Sequence, residues 1–369
     1  MAFPGAILPA WGYHLNYNFA EVGRFFLFVA AGVIAAAPAG ERVARKNGIA
    51  TALALGCGVA AVSLAGLSQT GPHAPWWWRA AGLAGVGMGA GILHSAAFRS
   101  LSSLYDREPA ATVNMAGTLF GLGSFAMAMI ASGALFVYTP ASTLLLLAAI
   151  PALGAGLYWR SASAAPVPHL ERGVAEVLND VRSPGAVLFS LLLFLQFGNE
   201  WSVAAWVAVF LVHRVGVSPE TALHMLALYW LALTLGRIAA QALLARIGHG
   251  ALLFSSAFAA MIGSLVVAFT NNVFGAWSGL LLMGLGFAAI YPLVTEKIGH
   301  RFPDYHPGFF NGLLSFGIMG GLVTPWILGY LAGQWGIQTV MLAPFIGSFL
   351  VLVLILLLWL ETKLTGSKR

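Results

Sequence analysis

Long apolar runs separated by short polar breaks fill the chain. They lie at about 22–40, 49–68, 77–99, 112–137, 141–158, 185–212, 221–245, 250–270, 274–297, 308–333 and 337–360. Each is close to the length that, coiled as a helix, crosses a hydrocarbon core of about 30 Å. The pattern therefore predicts eleven spanning helices. Residues 2–13 form another apolar stretch, too short to cross, and read as the outer half of a first helix that begins incomplete. Counting it, twelve helices are expected.

The longest break, 160–183, opens with Ser, Ala and Pro and continues from His169 to Arg182 with helical apolar spacing. This predicts a short amphipathic helix at the membrane surface. It divides the chain into an N-terminal half of six helices (1–159, the first incomplete), a linker (160–183) and a C-terminal half of six (184–369).

The halves repeat one another. Gly87-Met-Gly89 precedes His94-Ser95, and Gly284-Leu-Gly286 precedes Tyr291-Pro292 at the same spacing. Asn114 leads to Phe120-Gly121, as Asn311 leads to Phe316-Gly317. The break after 22–40 contains Ala44-Arg45-Lys46-Asn47-Gly48, and the break after 221–245 contains Ala245-Arg246-Ile-Gly248.

Composition removes whole classes of function. Only 8% of the 369 residues are charged and 59% are hydrophobic, with a mean hydropathy of +0.85. A soluble domain carries about 25% charged residues, so soluble enzymes and nucleic-acid modules are excluded. Cys57 is the single cysteine, which rules out an intrachain disulfide and a Cys-rich metal site. The first basic residue is Arg24, so the positively charged start of a cleaved signal peptide is missing and none is expected. No Walker A loop or His-Glu-x-x-His spacing is present, so neither ATP hydrolysis nor a zinc-dependent intramembrane enzyme is expected.

Charge position gives an orientation. With the C-terminus inside, Arg42, Arg45, Lys46, Arg99, Arg107, Arg160, Arg172, Arg182, Arg246, Lys297, Arg301, Lys363, Lys368 and Arg369 fall on the inner side, whereas Arg24, Arg79 and Arg214 fall outside. The positive-inside rule makes the basic side cytoplasmic. Trp76-Trp77-Trp78 then sits at the outer interface as an anchoring belt.

Two six-helix halves in parallel repeat, joined by an inner linker, resemble the major facilitator superfamily over essentially the whole chain. Within it, Gly91-Ile-Leu-His94-Ser-Ala-Ala, Phe120-Gly-Leu-Gly, Phe197-Gly-Asn-Glu200 and Ala289-Ile-Tyr-Pro292 are most similar to the fucose/glucose permease-like branch of sugar:cation symporters. The resemblance implies an all-α membrane fold of two bundles with pseudo-two-fold symmetry, rocking about a solute site near the midplane. It also implies that the span 185–212 supplies sugar ligands. Two departures stand out. Gly40-Glu41-Arg42-Val-Ala-Arg45-Lys46-Asn-Gly48 keeps the basic character of the family's inner loop but lacks its aspartate. The acid often found early in the branch's first helix is also missing.

Charges inside spans carry the most information, because each costs roughly 2.5–3.5 kcal/mol at a helix centre. Glu200 and Arg237 are the two that lie well inside. Gln196, Asn199 and Glu200 share a helical face, and Trp206 follows. Amides, a carboxylate and an indole suit a hydroxylated ring. An axial offset of roughly 7 Å would let Arg237 pair with Glu200. His94 and Tyr291 occupy equivalent places in the two halves and are expected to line the solute path. Asn114 and Asn311 are expected to pack or gate.

The expected protein is a secondary active transporter for a small polar solute, a monosaccharide first, with Glu200 as the coupling acid for H⁺ or Na⁺ and no bound cofactor or metal. Its partners are the solute and the bilayer, with no nucleic acid, and it acts as a monomer in a bacterial-type inner membrane. The alternatives are efflux of amphiphilic drugs by proton antiport and a transport-inactive membrane receptor.

Overall fold

The computed structural model describes residues 18–71, 74–105, 109–161, 183–302 and 307–366; side chains at 101–105, 109–114, 307–311 and 365–366 are not described. Within these residues the chain is helical and contains no strand. Eleven helices are long and apolar enough to cross a bilayer. The N-terminal group is α1 (Phe19–Asn47), α2 (Ile49–Ser68), α3 (Trp76–Tyr105), α4 (Pro109–Val137) and α5 (Pro140–Arg160). The C-terminal group is α6 (Pro184–Arg214), α7 (Pro219–Ile247), α8 (His249–Phe269), α9 (Val273–Arg301), α10 (Pro307–Trp335) and α11 (Thr339–Gly366). All eleven predicted spans are present, most of them longer than their apolar runs. The expected partial first helix and the amphipathic linker helix fall on 1–17 and 162–182, outside the described residues.

The helix starts follow from local chemistry. Thr139, Ser183 and Ser218 each precede a proline, and each hydroxyl accepts a backbone N–H of the first turn, from Ser142, Ala186 and Thr221 respectively. Proline at the first helical position has no N–H to leave unpaired. Asn18 and Asn272 cap α1 and α9 in the same way. Gly48 and Gly248 end α1 and α7 with φ of 89° and 81°, a region that L side chains rarely enter. Each lets the next helix start at once, so the repeat read in the sequence is also a repeat of turn geometry.

The Gly-x-Gly pairs fix the internal symmetry. Gly87 lies against the Val29 carbonyl of α1, and a Cβ on Gly89 would come within 2.8 Å of the Gly56 carbonyl of α2. In the second half, a Cβ on Gly284 would meet the Tyr229 carbonyl of α7 at 2.7 Å, while Gly286 abuts Ala260 of α8. Thus α3 wedges between α1 and α2 as α9 wedges between α7 and α8. Small residues allow such backbone approach where no hydrophobic force draws helices together in lipid.

Two seams join the halves, α1 on α10 and α4 on α7. Helix α6 is enclosed by α7, α9, α10 and α11, and residues 203–211 along it are all buried. The C-terminal ends of α1, α3, α5, α7, α9 and α11 share one face. This face carries Arg42, Arg45, Lys46, Arg160, Arg246, Lys297, Arg301 and Lys363, and is called the basic face below. The other is the opposite face.

The seams close toward the opposite face. There Gly23 of α1 and Gly329 of α10 touch backbone to backbone, with a Cβ on Gly23 only 2.9 Å from the Gly329 Cα. Ser132 of α4 bonds the Glu220 carbonyl at 2.9 Å and stands 2.9 Å from His224 Nδ1, both on α7. Among the described side-chain contacts between α7 and α4, that of Arg237 with Gly117 lies nearest the basic face. Beyond it, Ile238, Leu243 and Ile247 are exposed.

Candidate functional site

Arg237 is placed by the face of α7 that meets α4. Trp230, Thr234 and Arg237 recur at helical spacing and meet Phe120, Gly121 and Gly117 in turn. Phe120 and Trp230 pack edge to face, with ring centroids 5.7 Å apart. Gly117 and Gly121 leave the room that Arg237 and Thr234 fill. A Cβ at Gly117 would lie 2.9 Å from the guanidinium.

The guanidinium has two partners. Its Nη2 donates to Glu200 Oε1 of α6 at 3.4 Å. Its Nη1 donates to the backbone carbonyl of Gly117 in the other half. Glu200 is 2% exposed and Arg237 3%, so the pair is withdrawn from solvent. A buried pair of this kind is weak evidence for stability, but removing one member leaves an uncompensated charge.

Several polar atoms around the pair have no hydrogen-bond partner among the described residues. They are Glu200 Oε2, Gln196 Oε1, Arg237 Nε and Trp230 Nε1. Gln196 donates to the Phe287 carbonyl of α9 at 3.4 Å. The Tyr229 hydroxyl donates to the Glu200 backbone carbonyl at 3.4 Å. The result is a small polar centre in an apolar bundle, connected through one guanidinium to the opposite half.

The expected stripe on α6 meets more than one neighbouring helix. Gln196, Asn199 and Glu200 span an arc of about 100° on a helix, and α6 is surrounded, so the three meet different neighbours. Gln196 turns to α9 and Glu200 to α7. Asn199 turns to α11, where it fills the space a side chain at Gly347 would need. All three are buried, and Asn199 also lines a cavity of about 210 Å³ between α6, α10 and α11. Trp206 also departs from its expected place on an aromatic rim. It is fully buried, donates from Nε1 to the Pro325 carbonyl of α10 at 2.9 Å, and packs 5.5 Å from Phe26 of the other half. It is an anchor of the closed face.

The remaining expected residues are more open. His94 is exposed, with its ring 5.8 Å from Phe98. Tyr291 is half-buried and packs 5.0 Å from Phe197, whose ring is 6.2 Å from Trp201. The side chains of Asn114 and Asn311 lie outside the described residues. Among the described residues, no three His, Cys, Asp or Glu side chains come together as a metal site requires.

Sequence reasoning overlooked five contributors. Gly117 acts through its carbonyl, and its spacing from Gly121 signals only close packing. Tyr229 and Trp230 sit in an apolar run, although Trp230 lies seven residues before Arg237 and so shares its face. Ser132 and His224 carry no pattern that links them.

Comparison with known proteins is consistent with this architecture. A family model described as Major Facilitator Superfamily matches residues 1–319. A glucose/galactose transporter of Brucella abortus biovar 1 (strain 9-941) is 30% identical over 162 residues, 43% of this chain and 39% of that protein. The match thus spans about two fifths of that relative's length. The multi-drug resistance efflux pump PmrA of Streptococcus pneumoniae serotype 4 is 38% identical over 91 residues, 24% of this chain and 22% of the pump. Among solved structures, the transporter FucP in the outward conformation aligns with a TM-score of 0.63 at 17% identity, covering 97% of this chain and 96% of that one. A second structure, of the E. coli fucose:proton symporter FucP, gives 0.62 at 17% identity over 97% and 95%. At that identity the likeness concerns the fold.

Proposed function

The chain belongs to the major facilitator superfamily, and from that premise we propose that it is a proton-coupled carrier of a small hydroxylated solute, a monosaccharide first. The two halves divide at 160–183 and rock about the interface between them. The basic face is cytoplasmic by the positive-inside rule, and the membrane is a bacterial inner membrane. The opposite face is then the outer one, and the Gly23–Gly329 and Ser132–Glu220 contacts hold the halves together there. The carrier acts as a monomer and needs no resident cofactor.

One observation supports the coupling: Glu200 and Gly117 share a single guanidinium, each on its own terminal nitrogen, that belongs to one half and reaches into the other. Glu200 Oε2 has no partner among the described residues and is the oxygen available to a proton. Protonation there removes Arg237's counter-charge. A lone buried cation is costly, so the guanidinium must find a new position, and the α4–α7 seam is where it sits. A proton therefore favours whichever arrangement of the halves better accommodates a neutral Glu200.

The solute contacts are assigned to His94 and Tyr291, one from each half, with the ring of Phe197 beside Tyr291 and Trp201 behind Phe197. Polar atoms beside aromatic faces match a sugar ring. The named glucose/galactose relative supports this class. The stretch similar to PmrA favours a second reading, export of an amphiphile by proton antiport. Purified protein in liposomes, tested with labelled hexoses and with amphiphilic dyes, separates the two readings. On the sugar reading a hexose undergoes saturable counterflow, and an imposed proton gradient drives its accumulation. Glu200→Gln keeps counterflow and loses accumulation. Normal gradient-driven accumulation by Glu200→Gln would defeat the coupling proposal.

A further inference from the structure

A second charged site lies away from the solute path, at the opposite-face end of α1. A cavity of about 190 Å³ is lined there by Glu21, Arg24, Phe25 and Phe28 of α1 and Trp76 of α3. Gly23 and Phe26, on the other side of α1, face α10 and α6. The cavity thus opens away from the interface between the halves, toward the bilayer. Among the described residues, neither Glu21 nor Arg24 forms a salt bridge; Glu21 is close enough for its charge to act on Arg79, which is buried and donates to the Gly71 carbonyl at 2.8 Å.

Depth orders the side chains. Trp76, Trp77 and Trp78 are 58%, 53% and 45% exposed and open α3. Indoles collect at the boundary between hydrocarbon and headgroups. Phe28 lies level with that belt, its ring 6.1 Å from Trp76. Arg24 is four residues nearer the helix start, about 6 Å further out, and Glu21 is a further three residues, roughly 4.5 Å. Read outward, the wall runs aromatic, cationic, anionic.

A zwitterionic phospholipid runs the same way, as acyl ester, phosphate, then ammonium. We propose that this cavity holds the headgroup of a phospholipid bearing a primary amine. Arg24 takes the phosphate, where a planar fork suits two oxygens. Glu21 accepts N–H bonds from the ammonium. Phe28 and Trp76 cover the start of the acyl chains. A quaternary ammonium has no N–H to donate, so Glu21 separates phosphatidylethanolamine from phosphatidylcholine.

The test is lipid retention by the full chain, extracted from nanodiscs of phosphatidylethanolamine, phosphatidylcholine or phosphatidylglycerol and weighed by native mass spectrometry. Phosphatidylethanolamine is expected to be retained roughly tenfold over phosphatidylcholine, the scale of a charge-assisted hydrogen bond. Arg24→Gln is expected to abolish retention of both. Glu21→Gln is expected to remove the preference and keep the phosphate-dependent part. Arg214→Gln, another exposed arginine near the opposite face, is the control and is expected to change nothing. Equal retention of the two zwitterionic lipids by the unaltered chain would overturn the proposal. So would preferential retention of phosphatidylglycerol, or equal losses in Arg24→Gln and Arg214→Gln. All variants lie at partly exposed positions, and matching unfolding temperatures show that each is folded.

Discussion

Arg237 of α7 stands 3.4 Å from Glu200 of α6 while its other terminal nitrogen bonds the Gly117 carbonyl of α4. One side chain thus closes an ion pair within its own half and holds the seam to the other. Removing the cation alone strands the carboxylate in an apolar bundle. Arg237→Met is expected to lower stability by about 3–5 kcal/mol, and the paired change Glu200→Leu with Arg237→Met to recover most of it. Thermal unfolding in detergent measures both. A double variant no more stable than Arg237→Met would mean that the pair is not what the site depends on. Recovery of fold without recovery of gradient-driven accumulation is the expected pattern.

The same seam has no spare room one turn further along. Gly121 lies directly against Thr234, whose Cβ would be 3.4 Å from a Cβ added there. Gly121→Ala is expected to push α4 off α7 at a cost of about 1–3 kcal/mol. Thr234→Ala removes the obstructing hydroxyl, which otherwise bonds the Trp230 carbonyl of its own helix at 2.8 Å. Combining the two is expected to restore unfolding temperature and counterflow toward the parent. Additive losses in the double variant would count against a steric seam.

How much of this was legible in the sequence follows from the solvent. In lipid, backbone groups must be satisfied within the segment, so an apolar run of spanning length is already a helix, and all eleven spans could be read. The repeat was legible because glycines that permit backbone contact recur at fixed spacing, as in Gly87/Gly89 and Gly284/Gly286. The Glu200–Arg237 pairing was foreseeable because two buried opposite charges need each other. The partition of Gln196, Asn199 and Glu200 among three neighbouring helices was not, since a helical face indicates which residues lie together and not what lies across from them. Trp206 illustrates the same limit: its indole was expected to meet a solute, and it meets the Pro325 carbonyl. The role of Gly117 leaves no side-chain trace at all.

The α1–α10 seam gives a handle on the closed face. Gly23 and Gly329 meet with no side chain between them, and a Cβ on Gly23 would also come within 2.9 Å of the Trp326 carbonyl. Gly329→Ala is expected to disfavour closure there by about 1–3 kcal/mol, which shifts the population of an open opposite face by fivefold or more. Val22, buried on α1 next to this contact, reports the change. In a background with Cys57→Ser, Val22→Cys should react faster with a membrane-impermeant maleimide when Gly329→Ala is present. An unchanged rate would show that this contact does not hold the face shut.

Trp206 and Tyr291 should separate cleanly in kinetics. Trp206→Phe keeps an aromatic ring beside Phe26 and loses the 2.9 Å bond to the Pro325 carbonyl. The expected cost is about 1 kcal/mol of stability, as for one buried hydrogen bond, with KM for the solute unchanged. Tyr291→Phe keeps the contact with Phe197 and removes a hydroxyl assigned to the solute. It is expected to raise KM by up to about tenfold, the range of one neutral hydrogen bond, with little change in unfolding temperature. Zero-trans uptake at several solute concentrations, alongside thermal unfolding, measures both quantities for both variants. If Trp206→Phe raised KM and Tyr291→Phe did not, the solute would have to contact the closed-face anchor, and the assignment of α9 to the solute path would fall.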